Sequence, residues 1–298
     1  MPSVSSVEEA SAALESAYRE GRTLRIGEDL TAHGLNRVLE HDPGDLTCTV
    51  EAGMRLSELR TALVAAGQRL SLDPPGDPTI GALLALNLSG PLRHRFGAPR
   101  DLVLGVTVVL ADGTVANAGG KVVKNVAGYD LARLVCGSEG RIAFIVRASF
   151  RLHPLPRAAR TLVVETEDPA LVVSRLLRSQ LQPSALDVLH PGRVAVLFEG
   201  SPRAVEAQLA QAASLVGGRQ GGEETWDETR ARQASATSRV RFRPGDLAGA
   251  LLSLDEAVIR PAAGVAYGLA RIQDDTPPDV RRLLDAIRGQ LDPAGVLT

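Results

Sequence analysis

Apolar residues recur at helical spacing from Val7 to Arg19, and the pattern stops before Gly21. Arg22–Ile26 then reads as a short strand and Gly27–Gly34 as a polar loop. Val38–Leu39 and Thr47–Glu51 carry strand-type residues, and a helix capped by Ser57 is expected through Ala66, stopping at Gly67. The next stretch, DPPGDPTIGALLALNLSGPLRHRFGAPRD, is too dense in Pro and Gly for one helix. It admits a short helix from Thr79 or Ile80 to about Leu86, with Thr79 as N-cap. Leu102–Leu110 and Thr114–Ala118 flank Ala111-Asp112-Gly113, a hairpin signal. Asp130 caps a short helix to Val135, and Ile142–Leu152 is a long apolar strand.

His153-Pro154-Leu155-Pro156 interrupts the pattern and marks the expected boundary between a domain of residues 1–155 and one of residues 156–298. Beyond it, strands are expected at Thr161–Glu165, Ala185–Leu189, Arg193–Glu199, Arg239–Arg243 and Val265–Ile272. Helices are expected at Pro169–Leu181, Ala204–Val216, Leu247–Leu254 and Val280–Leu291, with a Gly-rich polar loop after Val216. The alternation predicts an antiparallel sheet with helices on one face, of ferredoxin-like type, so the fold class is α+β.

Composition narrows the function classes. The chain has 298 residues, 33 basic and 35 acidic, and the near-balance argues against a nucleic-acid partner. Aromatics at 3% leave few stacking platforms for single strands. Two cysteines, Cys48 and Cys136, form no CxxC pattern, so a metal centre or disulfide framework is not expected and a reducing cytoplasm fits. The longest apolar runs, such as 102–111, fall well short of the ~20 residues that span a bilayer. Only two of the basic residues are lysines, and both, Lys121 and Lys124, fall in GGKVVKN.

The candidate chemistry concentrates in residues 73–142, where glycines recur at 76, 81, 90, 97, 105, 113, 119, 120, 128, 137 and 140. Glycine lets backbone approach a ligand closely, and anions are often held by N–H groups at such loops. Thr79-Ile80-Gly81 and Gly137-Ser138-Glu139-Gly140 are two such candidate clusters.

GGKVVKNVAGYDLARLVCGSEGRIAFIVRASFRLHP, residues 119–154, resembles the signature of the FAD-linked oxidase family of vanillyl-alcohol-oxidase or PCMH type, and within it the FAD-binding (E) subunits of glycolate oxidases. DPPGDPTIGALLALNLSGP and RFGAPRDLVLGVTVVLADG upstream, and VRFRPGDLAGALLSL and LLDAIRGQLDPAGVLT downstream, extend the resemblance over most of the chain. It implies a PCMH-type bipartite FAD-binding domain followed by a smaller ferredoxin-like cap domain. It implies FAD as cofactor, held by Gly27 and Thr31 of the pyrophosphate loop and by N–H donors at Thr79, Ile80 and Gly81. Ser89, Gly90, Arg95 and Gly97 would line the dinucleotide path, and Gly137, Gly140 and Ile142 would meet the cofactor through main chain. Lys124 would offset negative charge beside the flavin or pyrophosphate.

Two departures qualify this. The 27–34 loop carries Glu28 and Asp29, which would repel a pyrophosphate unless they point away. The stretch Pro261–Ala266, where 2-hydroxy-acid dehydrogenases of the family carry a catalytic histidine, has none, and no base is nominated. The remaining histidines are expected in solvated turns, and Trp226, Arg230, Arg241 and Arg243 at a charged surface. The resemblance therefore implies a subunit in flavin-mediated electron transfer beside a catalytic flavoprotein subunit and an iron–sulfur subunit, cytoplasmic or held at the inner membrane face by its partners. Two readings compete with it. One is a structural subunit that lost FAD, and the other a free-standing 2-hydroxy-acid dehydrogenase.

Overall fold

The structure is a computed structural model that describes residues 3–120, 130–268 and 278–298. The helix Val7–Glu20 begins where Ser6 Oγ accepts the Glu9 N–H and ends at Gly21, whose φ of 64° is the left-handed C-cap. It buries Ala10, Leu14 and Ala17, one stripe, against one end of a five-stranded antiparallel sheet. That sheet runs Val38–Asp42, Thr47–Glu51, Phe144–Arg151, Val103–Val109, Val115–Gly119 in spatial order. Its opposite face packs Val106, Val108, Ala148 and Phe150 on Leu59 and Leu63 of the helix Leu56–Val64 and on Leu83 and Leu84 of the helix Ile80–Ala85.

Arg22–Ile26 does not form the expected strand. Leu24 and Ile26 make only isolated pairings, with Leu297 and Leu30. The Leu24 N–H donates to Val296 O at 2.6 Å, and Val296 and Leu297 are buried in the core of the Val7–Glu20 helix. The last residues of the chain thus return to its first helix, a contact between distant segments that no local pattern carries.

The second sheet has seven strands, all antiparallel, in the order Arg219–Gly221, Ala158–Glu165, Arg193–Gly200, Ala185–His190, Ala257–Arg260, Val265–Gly268, Ser238–Arg241. One face, through Leu186, Val188, Val194 and Val196, packs on the helices Pro169–Arg178, Pro202–Val216 and Leu247–Leu252. Strand alternation sends Ala185, Asp187 and Leu189 to the other face. There Ala185, Leu189 and Ala195 meet Trp226 of a helix, Glu223–Ser235.

That helix corrects the reading of a polar loop and of helices on one face only. Its buried residues, Thr225, Trp226, Thr229 and Gln233, follow helical spacing but are mostly polar, so no apolar period announces it. The strand Ala257–Arg260 was also unforeseen, being four residues long and ending in a buried arginine. Gln233 Nε2 donates to Ser89 O at 2.9 Å, and Arg69 holds Glu199 through two 2.7 Å hydrogen bonds, so the two sheets' units are joined by polar contacts.

Candidate functional site

A cavity of about 340 Å³ opens among three segments of the first unit: the 26–33 loop, the start of the Ile80–Ala85 helix with Ala52 and Gly53, and the 139–145 segment. Its size is ordinary for a small-molecule site. Gly27, Thr31, Thr79, Gly81 and Gly140 all line it. Gly27, Gly53, Gly81 and Gly140 share the lining with Ile26, Leu30, Leu86 and Phe144, and at two of these glycines a side chain would not fit. A Cβ on Gly53 would lie 1.8 Å from Ala32 O, and one on Gly140 (φ 78°) would lie 2.8 Å from Ile26 Cβ. At Gly27 (φ 94°) nothing stands within 4 Å, so the loop is open there.

Thr31 Oγ1 is buried in this wall with no hydrogen-bond partner. A buried unpaired hydroxyl costs free energy, on the order of 1–3 kcal/mol, unless a ligand engages it. Glu28 and Asp29 do not line the cavity. Asp29 accepts from both the backbone N–H and the Nε of Arg25, at 2.9 and 3.1 Å, and Glu28 pairs with the same guanidinium. The Arg25 hydrogen bonds hold the Asp29 carboxyl below its usual value. The two carboxylates of the loop are thus paired with Arg25 outside the cavity lining. His33 is exposed at the rim, and Glu139 pairs with Arg141 at 3.1 Å.

Other site residues fall differently. The N–H groups of Ile80 and Gly81 are not available as anion donors. Ile80 N–H donates to Met54 O at 2.9 Å and Gly81 N–H to Ala52 O at 2.7 Å, because the helix start docks on the 52–54 turn. The Thr79 hydroxyl caps the Ala82 N–H. Gly137 N–H is engaged by Leu84 O at 3.0 Å, and Ile142 is buried in the core behind the cavity wall. Ser89, Gly90, Arg95 and Gly97 are not brought to this cavity. Ser89 is buried where its carbonyl accepts Gln233, and a Cβ on Gly90 would strike Asp73 O at 1.8 Å. Arg95 lies over Phe96, and Gly97 packs on Asp101. Lys124, with Lys121, lies outside the described residues.

The histidines are not all in solvated turns. His41 Nε2 meets Gln68 Oε1 at 2.9 Å, and His153, packed at a tilt against the Phe96 ring, has its pKa lowered by burial to about 4. Trp226 is buried and donates to Thr161 Oγ1 at 2.8 Å. Arg230 joins Asp227 and Glu223, whereas Arg241 and Arg243 are exposed elsewhere.

A larger cavity, about 580 Å³, lies at the seam between the units. Arg60, Arg69, Asp73, Glu199 and Arg230 reach it among Leu, Pro and Ala side chains. Behind it, Arg260 and Asp187 are fully buried and face each other at 3.5 Å, with neither Asp187 oxygen hydrogen-bonded. Arg260 also donates to Gln233 Oε1 at 2.7 Å and lies over the Tyr267 ring. Burial pushes the Asp73 carboxyl up to about 7 and that of Asp187 up to about 6, against the pull of Arg260. Sequence reasoning missed this group. Asp73 looked like one more residue of a turn-rich stretch, and Asp187 and Arg260 were single charges in apolar strands. A charge inside an apolar strand was the available signal.

Residues 3–119 match the family model described as an FAD binding domain. Glycolate oxidase subunit GlcE of Escherichia coli is 33% identical over 212 residues, 70% of this chain and 59% of that one. Glycolate oxidase subunit GlcD of Bacillus subtilis is 34% identical over 184 residues, 59% of this chain and 39% of that one. The chain thus spans less than two thirds of the length of these relatives. Among solved structures, an alkyldihydroxyacetonephosphate synthase superposes with a TM-score of 0.73 over 99% of this chain and 74% of its own, at 16% identity, a likeness of fold.

Proposed function

We propose, from the premise that residues 3–119 belong to the FAD-binding-domain family of the FAD-linked, PCMH-type oxidases, that the chain is the FAD-binding subunit of a 2-hydroxy-acid oxidase complex of glycolate oxidase type. The observation that carries this reading is the glycine-walled cavity with the unpartnered Thr31 hydroxyl. Its residues fit a dinucleotide. Thr31 offers a hydrogen bond, Gly27 and Gly140 offer close main-chain approach, and Ala82, Ala143 and Ile145 offer an apolar bed. FAD, when bound, supplies the two-electron acceptor that can pass electrons on one at a time. The chain's own part is to bind and orient it and to keep the Glu28 and Asp29 carboxylates out of the cavity, a role the Arg25 pairing supports.

Oxidation of a 2-hydroxy acid also needs a positioned base. None of the described residues at the cofactor cavity fills that role. His33 is exposed at the rim and Glu139 is tied to Arg141. This supports a chain that carries electrons beside a catalytic flavoprotein subunit and an iron–sulfur subunit over one that turns over glycolate alone. The division into residues 1–155 and 156–298 remains part of this proposal, with residues 296–298 resting on the first unit.

The test is an absorbance spectrum of the chain after reconstitution with FAD, alone and co-expressed with its partner subunits. Stoichiometric flavin absorbance with no glycolate or lactate turnover by the isolated chain is the expected result. Absence of flavin in both preparations would favour a structural subunit. Turnover by the isolated chain with an artificial acceptor would favour a free-standing dehydrogenase.

A further inference from the structure

The seam cavity shares no lining residue with the proposed cofactor cavity. Both units build it. Arg60, Asp73, Pro74 and Pro91 come from the first, and Leu197 and Arg230 from the second. Two of its three guanidiniums are matched. Arg69 is doubly bonded to Glu199, and Arg230 is bonded to Glu223 and Asp227. Arg60 is different. Its Nη2 donates to Leu72 O at 2.7 Å, and among the described residues it has no carboxylate within ion-pair distance. The remaining acid in the wall, Asp73, is engaged through Oδ1 by the Leu92 N–H at 3.0 Å, and its Oδ2 stands 3.8 Å from Arg230.

We propose that this cavity is a binding site for a small organic carboxylate with an apolar body, its headgroup pairing with Arg60 and its body lying against Pro74, Pro91 and Leu197. A half-buried guanidinium with no carboxylate within ion-pair distance is desolvated at a free-energy cost that an incoming anion relieves. The apolar lining favours a ligand with a hydrocarbon tail over a bare inorganic anion. Because the walls come from both units, the ligand bridges them and stabilises the joined arrangement by mass action. The inference does not rest on the cofactor reading.

Asp73 makes the site pH-sensitive. The charged groups facing it are Arg60 from the Leu56–Val64 helix, Arg230 from the Glu223–Ser235 helix, and Arg260 and Asp187 from the second sheet. Burial outweighs the arginines, so Asp73 changes charge near pH 7. A bound carboxylate favours the neutral acid beside it, so binding takes up a proton and weakens above that pH, by at most about tenfold per unit.

Isothermal titration calorimetry of the full chain with sodium hexanoate at pH 6 and pH 8, against 1-hexanol as neutral control, tests this. Saturable hexanoate binding at pH 6, several-fold weaker at pH 8, and no binding of hexanol are expected. Arg60→Gln should weaken it tenfold or more, and Asp73→Asn should bind equally at both pH values. Val64→Glu, on the exposed rim, adds a repelling charge without touching a buried contact and should also weaken it. No saturable heat at pH 6, or hexanoate affinity unchanged in Arg60→Gln, overturns the proposal. If Arg60→Gln does not fold, unchanged affinity in Val64→Glu does so.

Discussion

The two cavities differ in how their polar groups are handled. The proposed cofactor cavity is mostly glycine and apolar side chains, Glu28 and Asp29 beside it are paired with Arg25, and one hydroxyl is left unpaired. The seam is made of ionised side chains withdrawn from water, with Arg260 and Asp187 buried at 1% and 0% exposure. The first is suited to a ligand that brings its own charge to a neutral wall. The second holds all its charges but Arg60 by mutual pairing, and any ligand there must fit an existing electrostatic balance. A glycine-lined wall fails by overfilling, whereas a buried ion pair fails when one member is removed.

The largest effect should come from breaking that pair. Arg260→Met leaves Asp187 buried without a cation and should cost about 3–5 kcal/mol in urea unfolding. Arg260→Met combined with Asp187→Leu should recover most of the loss, and a double variant no more stable than the single would contradict the account. Gly53→Ala attacks the other cavity. Its Cβ would meet Ala32 O at 1.8 Å, so the wall must shift, at about 2–3 kcal/mol, and flavin retention should fall with it.

The pH dependence of stability probes the seam again. Asp73 has a folded pKa near 7, above its ordinary value of 3.8, so between these values the folded chain holds the proton more tightly than the unfolded one. Its contribution is full below about pH 4 and is lost as pH rises to 7, on the order of 4 kcal/mol. Wild type minus Asp73→Asn, followed by denaturant titration from pH 4 to 8, should show this fall. A flat difference would mean that the carboxyl is ionised throughout. The smallest effect on folding is expected at the cofactor cavity. Thr31→Val removes a buried hydroxyl with no partner, so stability should rise, by about 1 kcal/mol, while FAD affinity drops several-fold. Unchanged FAD affinity would remove Thr31 from the site.

Much of the framework was legible in local pattern. The strand Thr47–Glu51 has its expected bounds, Thr79 and Asp130 cap the helices foreseen for them, and the Ala111-Asp112-Gly113 hairpin forms. These follow from period, caps and turn residues, which act within a few positions. The helix Glu223–Ser235 was illegible because the face it buries is polar, and its partners, Thr161 and Ser89, lie 65 and 144 residues away. Of the site, the glycine positions were visible, but the use of their N–H groups was not. Ile80 and Gly81 look like free donors until the 52–54 turn is folded against them. Ser89 and Gly90, placed on the dinucleotide path by resemblance, sit instead where the two units meet.

The sequence by itself determined the class of protein: an α+β fold, no helix pattern long enough to cross a membrane, and a glycine-rich stretch resembling that of FAD-linked oxidases. Those properties are sums over local residues. Tertiary structure alone decided where charge lies. It turned Glu28 and Asp29 onto Arg25, buried Asp187 against Arg260, and left Arg60 at the seam cavity with no carboxylate within ion-pair distance among the described residues. The reason is that an ionisable group's state depends on what surrounds it within a few ångströms, and those neighbours arrive from distant parts of the chain only when it folds.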